Sequence, residues 1–197
     1  MYGTTDPGDL TDRENWAGGD YDLWAVLAKP DDGGLERLLQ ALWRHAQVEG
    51  CFHAPLQGPV VETTLALASL RAGPLAGTVR LPTGSRVICA AHEIASKGIS
   101  FSLPLGALGR VEDRIGGFPF GHDGGPSSLP WRRPIDDWLA EVAQRTHEDV
   151  PLRFGLIGFD AVGEVKPDKF EVTPPDERPF GYLVPDHHQL SYFPATF

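Results

Sequence analysis

Hydrophobic and polar residues alternate along residues 20–29, and this alternation predicts a β-strand. Asp31 and Asp32 follow the strand and offer side-chain oxygens that suit the N-cap of a helix. Behind them, apolar residues recur with the spacing of one buried helix face: Leu35, Leu38, Leu39, Leu42 and Ala46. A short apolar stretch, residues 51–54, predicts a second strand. The pattern therefore indicates a compact strand–helix–strand unit over residues 20–54.

A series of short strands joined by tight turns begins at residue 75. Apolar residues dominate residues 75–81 and 86–94, and a Pro-Thr-Gly-Ser turn separates the two stretches. A third strand, residues 99–105, alternates apolar residues with Ser100 and Ser102. Because the connections are short, the three strands are predicted to form an antiparallel meander.

The remaining stretches predict one more long helix and further strands. The helix begins near Pro134, which suits the first helical position, and a long strand covers residues 152–165. Residues 182–184 and 190–193 could add late edge strands, whereas residues 55–74 fit a strand or a short helix equally well. Together the patterns predict an α+β fold, a single domain in which two main amphipathic helices pack on a mainly antiparallel sheet of about six or seven strands.

The chain is predicted to consist of an arm and one domain. Its 197 residues suit one domain that buries a core without a metal or disulfide. Residues 1–19 predict an irregular acidic N-terminal arm, and residues 20–197 predict the single α+β domain. Within it, residues 115–133 predict a long loop rich in glycine and proline. Because loops carried on a rigid scaffold host most functional sites, residues 116–133 are the expected location of a pocket if the protein has one.

Charge is unevenly distributed along the chain. The formal net charge is -10, from 17 basic and 27 acidic residues. Residues 1–32 carry -6 and residues 160–197 carry -4, so the 127 residues between them are neutral. An acidic balance argues against a general binder of nucleic acid or anionic membranes, because both need a basic surface. The sequence leaves open whether the two acidic segments lie together in the fold.

The composition also bears on the cellular compartment. Cys51 and Cys89 are the only cysteines, and their apolar contexts favour free buried thiols over a disulfide framework. The first 16 residues have neither a basic nor an apolar region, so no signal peptide is predicted. No apolar stretch approaches the length of a membrane span. A cytoplasmic protein is expected.

One candidate site is a pair of adjacent arginines. Arg132 and Arg133 lie close to the start of the second helix, where guanidinium groups could bind a carboxylate or phosphate. The alternative is that they pair with Asp136, Asp137 or another acid. The other candidate ligand-binding residues lie in the same stretch of chain: Trp131, His122 and Asp123.

The second candidate is a cluster of metal-capable residues near the end of the sequence. Carboxylate and imidazole groups are adjacent at Asp186, His187 and His188, and both suit divalent first-row metal ions. The fold could complete the site with other pairs: His92 with Glu93, or His122 with Asp123. The alternative is that these histidines lie on the surface without a metal.

No strong catalytic motif is present. The sequence has no phosphate-binding loop, no dinucleotide fingerprint and no Cys-x-x-Cys pair, and its His-Glu pair lacks the second histidine of a zincin helix. These absences and the acidic segments favour a non-catalytic binding or interaction protein, such as an immunity-like protein that engages a basic partner. A protein partner or self-association is therefore expected, but neither nucleic acid nor a membrane. The alternatives are a small metal-dependent hydrolase and a small-anion-binding protein. No cofactor is predicted unless the histidine cluster holds a divalent metal.

Overall fold

The fold is one antiparallel sheet with long helices on one face, as seen in a computed structural model that describes residues 6–54, 59–95, 97–112, 114–115, 127–164, 173–187 and 189–197. The described residues form nine strands in the spatial order β3-β2-β4-β5-β6-β1-β7-β8-β9. Their bounds are β1 Asp20–Leu27, β2 Glu49–His53, β3 Val61–Glu62, β4 Leu75–Arg80, β5 Arg86–Ile94, β6 Gly98–Pro104, β7 Leu152–Phe159, β8 Gly181–Asp186 and β9 Gln189–Phe193. Every neighbouring pair is antiparallel.

The prediction of six or seven strands is wrong, and the difference arises at the ends of the sheet. At one end, β3 has only two residues, too few to show any alternation. At the other end, β8 and β9 form a hairpin in the stretch where only optional edge strands were predicted. The α+β class, the antiparallel sheet and the central meander β4–β5–β6 are confirmed.

Two long helices are confirmed among the described elements. The helix bounds are α1 Asp32–His45, α2 Leu67–Ala72, α3 Leu105–Leu108, α4 Leu129–Asp149 and α5 Ala161–Glu164. The N-cap of α1 is Asp31, whose carboxylate accepts a hydrogen bond from the backbone N–H of Gly34 at 2.6 Å. Helix α4 begins before Pro134, so the end of the predicted loop is helical. No helix in the described ranges is both long enough and apolar enough to cross a membrane.

The long predicted strand over residues 152–165 is shorter than expected. Strand β7 ends at Phe159, and α5 follows after Asp160. Asp160 has a positive φ of 44°, a left-handed conformation that aspartate tolerates better than most residues. The chain therefore turns at Asp160, which lies beside the start of β1 because its N–H donates to the carbonyl oxygen of Asp20 at 3.0 Å.

Both long helices pack on the same face of the sheet. Phe101 of β6 lies between them, with its ring 6.4 Å from the ring of Trp43 in α1 and 6.4 Å from that of Trp138 in α4. Leu38 of α1 and Leu139 of α4 are fully buried in this core. Burying each such leucine contributes about 2 kcal/mol of transfer free energy.

The opposite face of the sheet, here called the distal face, has a smaller apolar cluster. Successive side chains of a strand point to opposite faces, so Asp22 and Trp24 of β1 lie on the distal face. The ring of Trp24 packs edge-on against Phe154 of β7 at 5.3 Å, and Ala161 of α5 belongs to the same cluster. This apolar cluster covers only part of the distal face, and polar residues lie beside it.

The predicted strand–helix–strand unit spans much of the sheet. Strands β1 and β2 flank α1 in the chain, but β4, β5 and β6 lie between them in the sheet. Since four antiparallel pairings separate β1 from β2, these two strands run parallel. The meander therefore fills the centre of the sheet, and β1 lies between β6 and β7.

The described part of the predicted arm contacts the rest of the protein. Residues Arg13–Trp16 form a 3-10 helix whose N-cap is Asp12. Arg110, just after α3, forms ion pairs with Asp12 at 3.0 Å and with Glu14 at 3.1 Å. The segment therefore has a helical turn and ion pairs with the body of the protein, where only irregular structure was predicted.

Candidate functional site

Polar side chains from three neighbouring strands meet on the distal face. Strand β6 lies between β5 and β1, and the register places Asp22 opposite Ser102 and His92 opposite Ser100. Residues paired in this way lie on the same face, and their Cβ atoms are roughly 5 Å apart. Pairing thus brings Asp22 beside three polar side chains, His92, Ser100 and Ser102, that are at least 70 residues away in the sequence.

Asp22 is the buried centre of this group. It is 4% exposed, and the hydroxyls of Ser102 and Ser100 both donate to its Oδ1 atom, at 2.7 and 3.0 Å. Within the described residues, its Oδ2 atom accepts no hydrogen bond and no cation pairs with the carboxylate. Burial raises the pKa of Asp22 to about 6, although the two serine hydroxyls act in the opposite direction. The nearby charges of Asp20 and Asp160 raise it further.

Asp22 lines a cavity of about 410 Å³, here called the distal cavity. Asp20 and Asp160 contribute two more carboxylates to its wall, while Ile94 and Val162 contribute apolar surface. Burial raises the pKa of Asp20 as well, and the opposing influence of His92 is smaller. No lysine or arginine is among the described lining residues, so the distal cavity is acidic.

The two acidic segments of the sequence meet here. Asp20 and Asp22 belong to the first segment and Asp160 to the second, and the pairing of β1 with β7 brings them together. The backbone N–H of Asp20 donates to the carboxylate of Asp160 at 3.4 Å. Part of the negative charge of the two acidic segments is therefore concentrated at the distal cavity.

His92 and Glu93 separate the distal cavity from a second cavity of about 490 Å³ near α2, here called the α2 cavity. Burial lowers the pKa of His92, so its imidazole is mainly neutral at pH 7. Glu93 forms an ion pair with Arg71 of α2 at 2.9 Å, and Arg71 also contacts Asp32 at 2.7 Å. The guanidinium of Arg71 is thus held between two carboxylates.

A third cavity, of about 530 Å³, lies between the end of α1 and the middle of α4. Arg80 and Arg145 line it, but so do Glu49 and Glu141, and Arg145 forms an ion pair with Glu141. Its formal charges balance, unlike those of the distal cavity. This interhelical cavity therefore has no marked preference for a cation or an anion.

Arg132, one of the two predicted anion-binding arginines, is buried and paired with an acid in the described structure. Arg132 is 2% exposed, and its guanidinium forms an ion pair with Asp136 at 3.5 Å and donates to the carbonyl oxygen of Pro179 at 2.5 Å. Asp136 also accepts a hydrogen bond from the hydroxyl of Tyr21. Arg132 thus takes the alternative role that the sequence allowed, pairing with an acid, because the helix begins early enough to bury it.

The other predicted ligand-binding residues are placed differently. Arg133 is half-buried on α4, and Trp131 is buried with its ring edge-on to Phe159 at a centroid distance of 6.0 Å. His122 and Asp123 lie outside the described residues. The described part of the predicted site is therefore mostly core and helix surface.

The predicted metal cluster lies at the turn between β8 and β9. Asp186 and His187 are both exposed, with 3.7 Å between the carboxylate and the imidazole, and His188 lies outside the described residues. His92 is on β5, four strand spacings from β8, or roughly 19 Å across the sheet. No group of three potential metal ligands converges in the described ranges.

Sequence analysis does not identify Asp22, Ser100 or Ser102 as site residues, although it names His92 and Glu93, which also line the distal cavity, as a pair that could complete a metal site. Asp22 was counted only as one acid of the first acidic segment, and Ser100 and Ser102 only as the polar positions of a strand. One local signal was available, since aspartate is depleted from strand interiors and Asp22 lies within a strand of buried residues. Finding its partners requires the pairing order of the strands.

The sequence matches no protein-family model, and no curated protein or solved structure is detectably similar to the chain. The geometry of the site is thus the basis for a functional proposal. An acidic cavity with hydroxyl and imidazole groups can bind a cation that also donates hydrogen bonds.

Proposed function

We propose that the protein is a non-catalytic binding protein and that the distal cavity binds the ammonium or guanidinium group of a small organic ligand. The observation that carries the proposal is the state of Asp22, a carboxylate that is 4% exposed and lacks a cationic partner among the described residues. Buried charges in proteins are usually paired, because moving an isolated charge out of water is costly. A cationic ligand would offset that cost.

The chemistry of the cavity suits such a ligand. An ammonium group has three donors, and the cavity offers the free Oδ2 atom of Asp22 together with the carboxylates of Asp20 and Asp160. Ile94 and Val162 provide apolar contact for the carbon skeleton of the ligand. The limited access of water to Asp22 strengthens the interaction between ligand and carboxylate.

A titration of the full chain with organic cations tests the proposal. Alkylamines and alkylguanidines are compared with neutral alcohols of the same carbon number at pH 7.5 by thermal shift and isothermal calorimetry. We expect the cations, but not the alcohols, to raise the melting temperature. Asp22→Asn should abolish the effect, because the amide is neutral, whereas Glu141→Gln in the interhelical cavity should leave it unchanged. A wild-type protein that treats cations and alcohols alike would contradict the proposal, as would undiminished binding to Asp22→Asn.

The other functions predicted from the sequence have weaker support from the described residues. Anion binding would require Arg132 to leave its buried ion pair with Asp136. A metal-dependent hydrolase would require further ligands to join Asp186 and His187, which are exposed at a turn. The proposed cation site needs no rearrangement, since its carboxylates already line a cavity.

A further inference from the structure

We propose that the ligand is an elongated molecule with at least two ammonium groups, a linear diamine or polyamine, which extends from the distal cavity past His92 and Glu93 into the α2 cavity. This inference rests on the proposed function, because the first ammonium group is the one that binds at Asp22. It adds the length and the charge pattern of the ligand, which together define a class of ligand.

The two cavities adjoin one another. His92 and Glu93 line both of them, so the two cavities meet at the end of β5. Strand β5 extends past the start of β4 at this point, since the last residue of β5 that pairs with β4 is Ala91. Because His92 points to the distal face and Glu93 to the helix face, a chain-like ligand would pass from one cavity into the other around the edge of β5 beyond Ala91, which has no strand partner in the described ranges.

The ion-pair cluster that borders the α2 cavity has more carboxylate than cationic groups, although only Arg71 and Glu93 of this cluster line the cavity itself. Its one arginine, Arg71, donates two hydrogen bonds to Asp32, at 2.7 and 3.1 Å, and two to Glu93, at 2.9 and 3.3 Å. One guanidinium between two carboxylates leaves this cluster with a formal charge of -1. Arg71 is thus already neutralised, and the surplus carboxylate charge can bind a second ammonium group.

Apolar surface lies between the charged groups. Ile94 and Val162 line the distal cavity, and Leu70, Pro74 and Ala95 line the α2 cavity. An alkyl chain suits this surface, because burying its methylene groups is favourable. The order of acidic, apolar and acidic surface therefore matches a molecule with cationic groups at both ends of a hydrocarbon chain.

The sheet geometry gives the approximate length of that ligand. Asp22 and Glu93 are two strand spacings apart across the sheet and three residues apart along it, which places their Cα atoms at roughly 14 Å for a flat sheet. Asp22 points to the distal face and Glu93 to the helix face, so a ligand that contacts both carboxylates must span at least this distance. Short diamines cannot reach both acidic groups, whereas long diamines and polyamines can. Affinity should therefore increase with chain length only when a second ammonium group is present.

The test is a calorimetric titration with linear diamines of three to ten carbons, each compared with the monoamine of equal carbon number. The full chain is used at pH 7.5 and low salt, and circular dichroism confirms that each variant is folded. For wild type, we expect the longest diamines to bind at least about tenfold more tightly than their monoamines, the gain from one additional charge-assisted interaction. The shortest diamines should show no such gain.

Two groups of variants separate the ends of the ligand. Glu93→Gln should remove most of the gain from the second ammonium group, while monoamines should still bind because Asp22 is unchanged. Asp32→Asn lowers the charge of the same cluster and replaces Glu93→Gln if that variant does not fold. Asp22→Asn should abolish binding of both kinds of amine, and Glu141→Gln should change neither.

The outcomes distinguish the two proposals. If monoamines bind in an Asp22-dependent manner but long diamines bind no more tightly, the elongated ligand is refuted and the proposed function stands. The same conclusion follows if the diamine gain persists in Glu93→Gln or in its replacement Asp32→Asn. If neither kind of amine binds to wild type, both proposals are refuted.

Discussion

Replacing Asp22 by asparagine should stabilise the protein at neutral and alkaline pH. The amide keeps an oxygen that can accept hydrogen bonds from Ser100 and Ser102, but the substitution removes a negative charge from a buried position. Because burial raises the pKa of Asp22 to about 6 in the folded protein, the folded state holds this proton more tightly than the unfolded state. Stability therefore decreases as the pH rises from 3.8 to about 6, and the cost is fully present above that range.

The magnitude follows from the same two values. A tenfold change in a protonation constant corresponds to about 1.4 kcal/mol, so raising the pKa from 3.8 to about 6 means that ionised Asp22 destabilises the fold by about 3 kcal/mol. For a chain of this size, that energy corresponds to an increase of roughly 10 °C in the melting temperature of Asp22→Asn at pH 8. At pH 4 the difference should fall below about 1 kcal/mol, since Asp22 is then mostly protonated in the folded state.

Urea denaturation of wild type and Asp22→Asn at pH 4, 6 and 8 measures this difference. Asp136→Asn is the matched control, because burial also raises the pKa of Asp136 to about 6. Asp136, however, forms an ion pair with the buried Arg132. The pKa of about 6 already includes the influence of Arg132, so the stability of Asp136→Asn relative to wild type should also increase from pH 4 to pH 8.

The reasoning is refuted if Asp22→Asn is no more stable than wild type at pH 8, or if its advantage is the same at pH 4 and pH 8. Either result would mean that the ionised carboxylate is well solvated or well paired in the folded protein. Asp22 would then have no uncompensated charge for a cationic ligand to neutralise.

Three further substitutions test interactions elsewhere in the fold. Arg132→Met should lower the free energy of unfolding by about 3 kcal/mol in urea denaturation, because it leaves Asp136 buried without a cation. The double variant Arg132→Met with Asp136→Leu should recover this stability, and a double variant that does not recover it would contradict the assigned role of the ion pair. Asp31→Ala removes the N-cap of α1 and should cost about 1 kcal/mol, whereas Asp31→Asn should keep most of it. Gly98→Ala should lower the melting temperature strongly, because its Cβ would lie 2.2 Å from the carbonyl oxygen of Ala25, and an unchanged melting temperature would contradict the close approach of β1 and β6.

Elements with several repeats of a period could be predicted from the sequence. Helix α1 was identified because its leucines repeat over about four turns, and the meander was identified because its turns are short. Strand β3 could not be identified, since its two residues contain no period. The start of α4 was misplaced because Pro134 is typical of the first helical turn, although the helix begins before it.

The candidate site is much harder to predict from the sequence than the fold is. Its residues are ordinary in their own strands, and they meet only because β6 pairs with both β5 and β1. Asp22 and Ser102 are 80 residues apart, so no local pattern connects them. Conversely, the sequence singles out Arg132 as a candidate anion-binding residue. Its burial beside Asp136 depends on tertiary packing, which a local sequence pattern cannot predict.

The position of β1 between β6 and β7 has a consequence for the kinetics of folding. The sequence separation between paired residues reaches 84 for β1 with β6 and 138 for β1 with β7. Contacts this distant along the chain close slowly, because the entropy of a long loop is lost before the contact forms. The meander β4–β5–β6 has only short connections and can form early. We therefore expect the insertion of β1 beside β6, which creates the distal cavity, to be among the slow steps of folding.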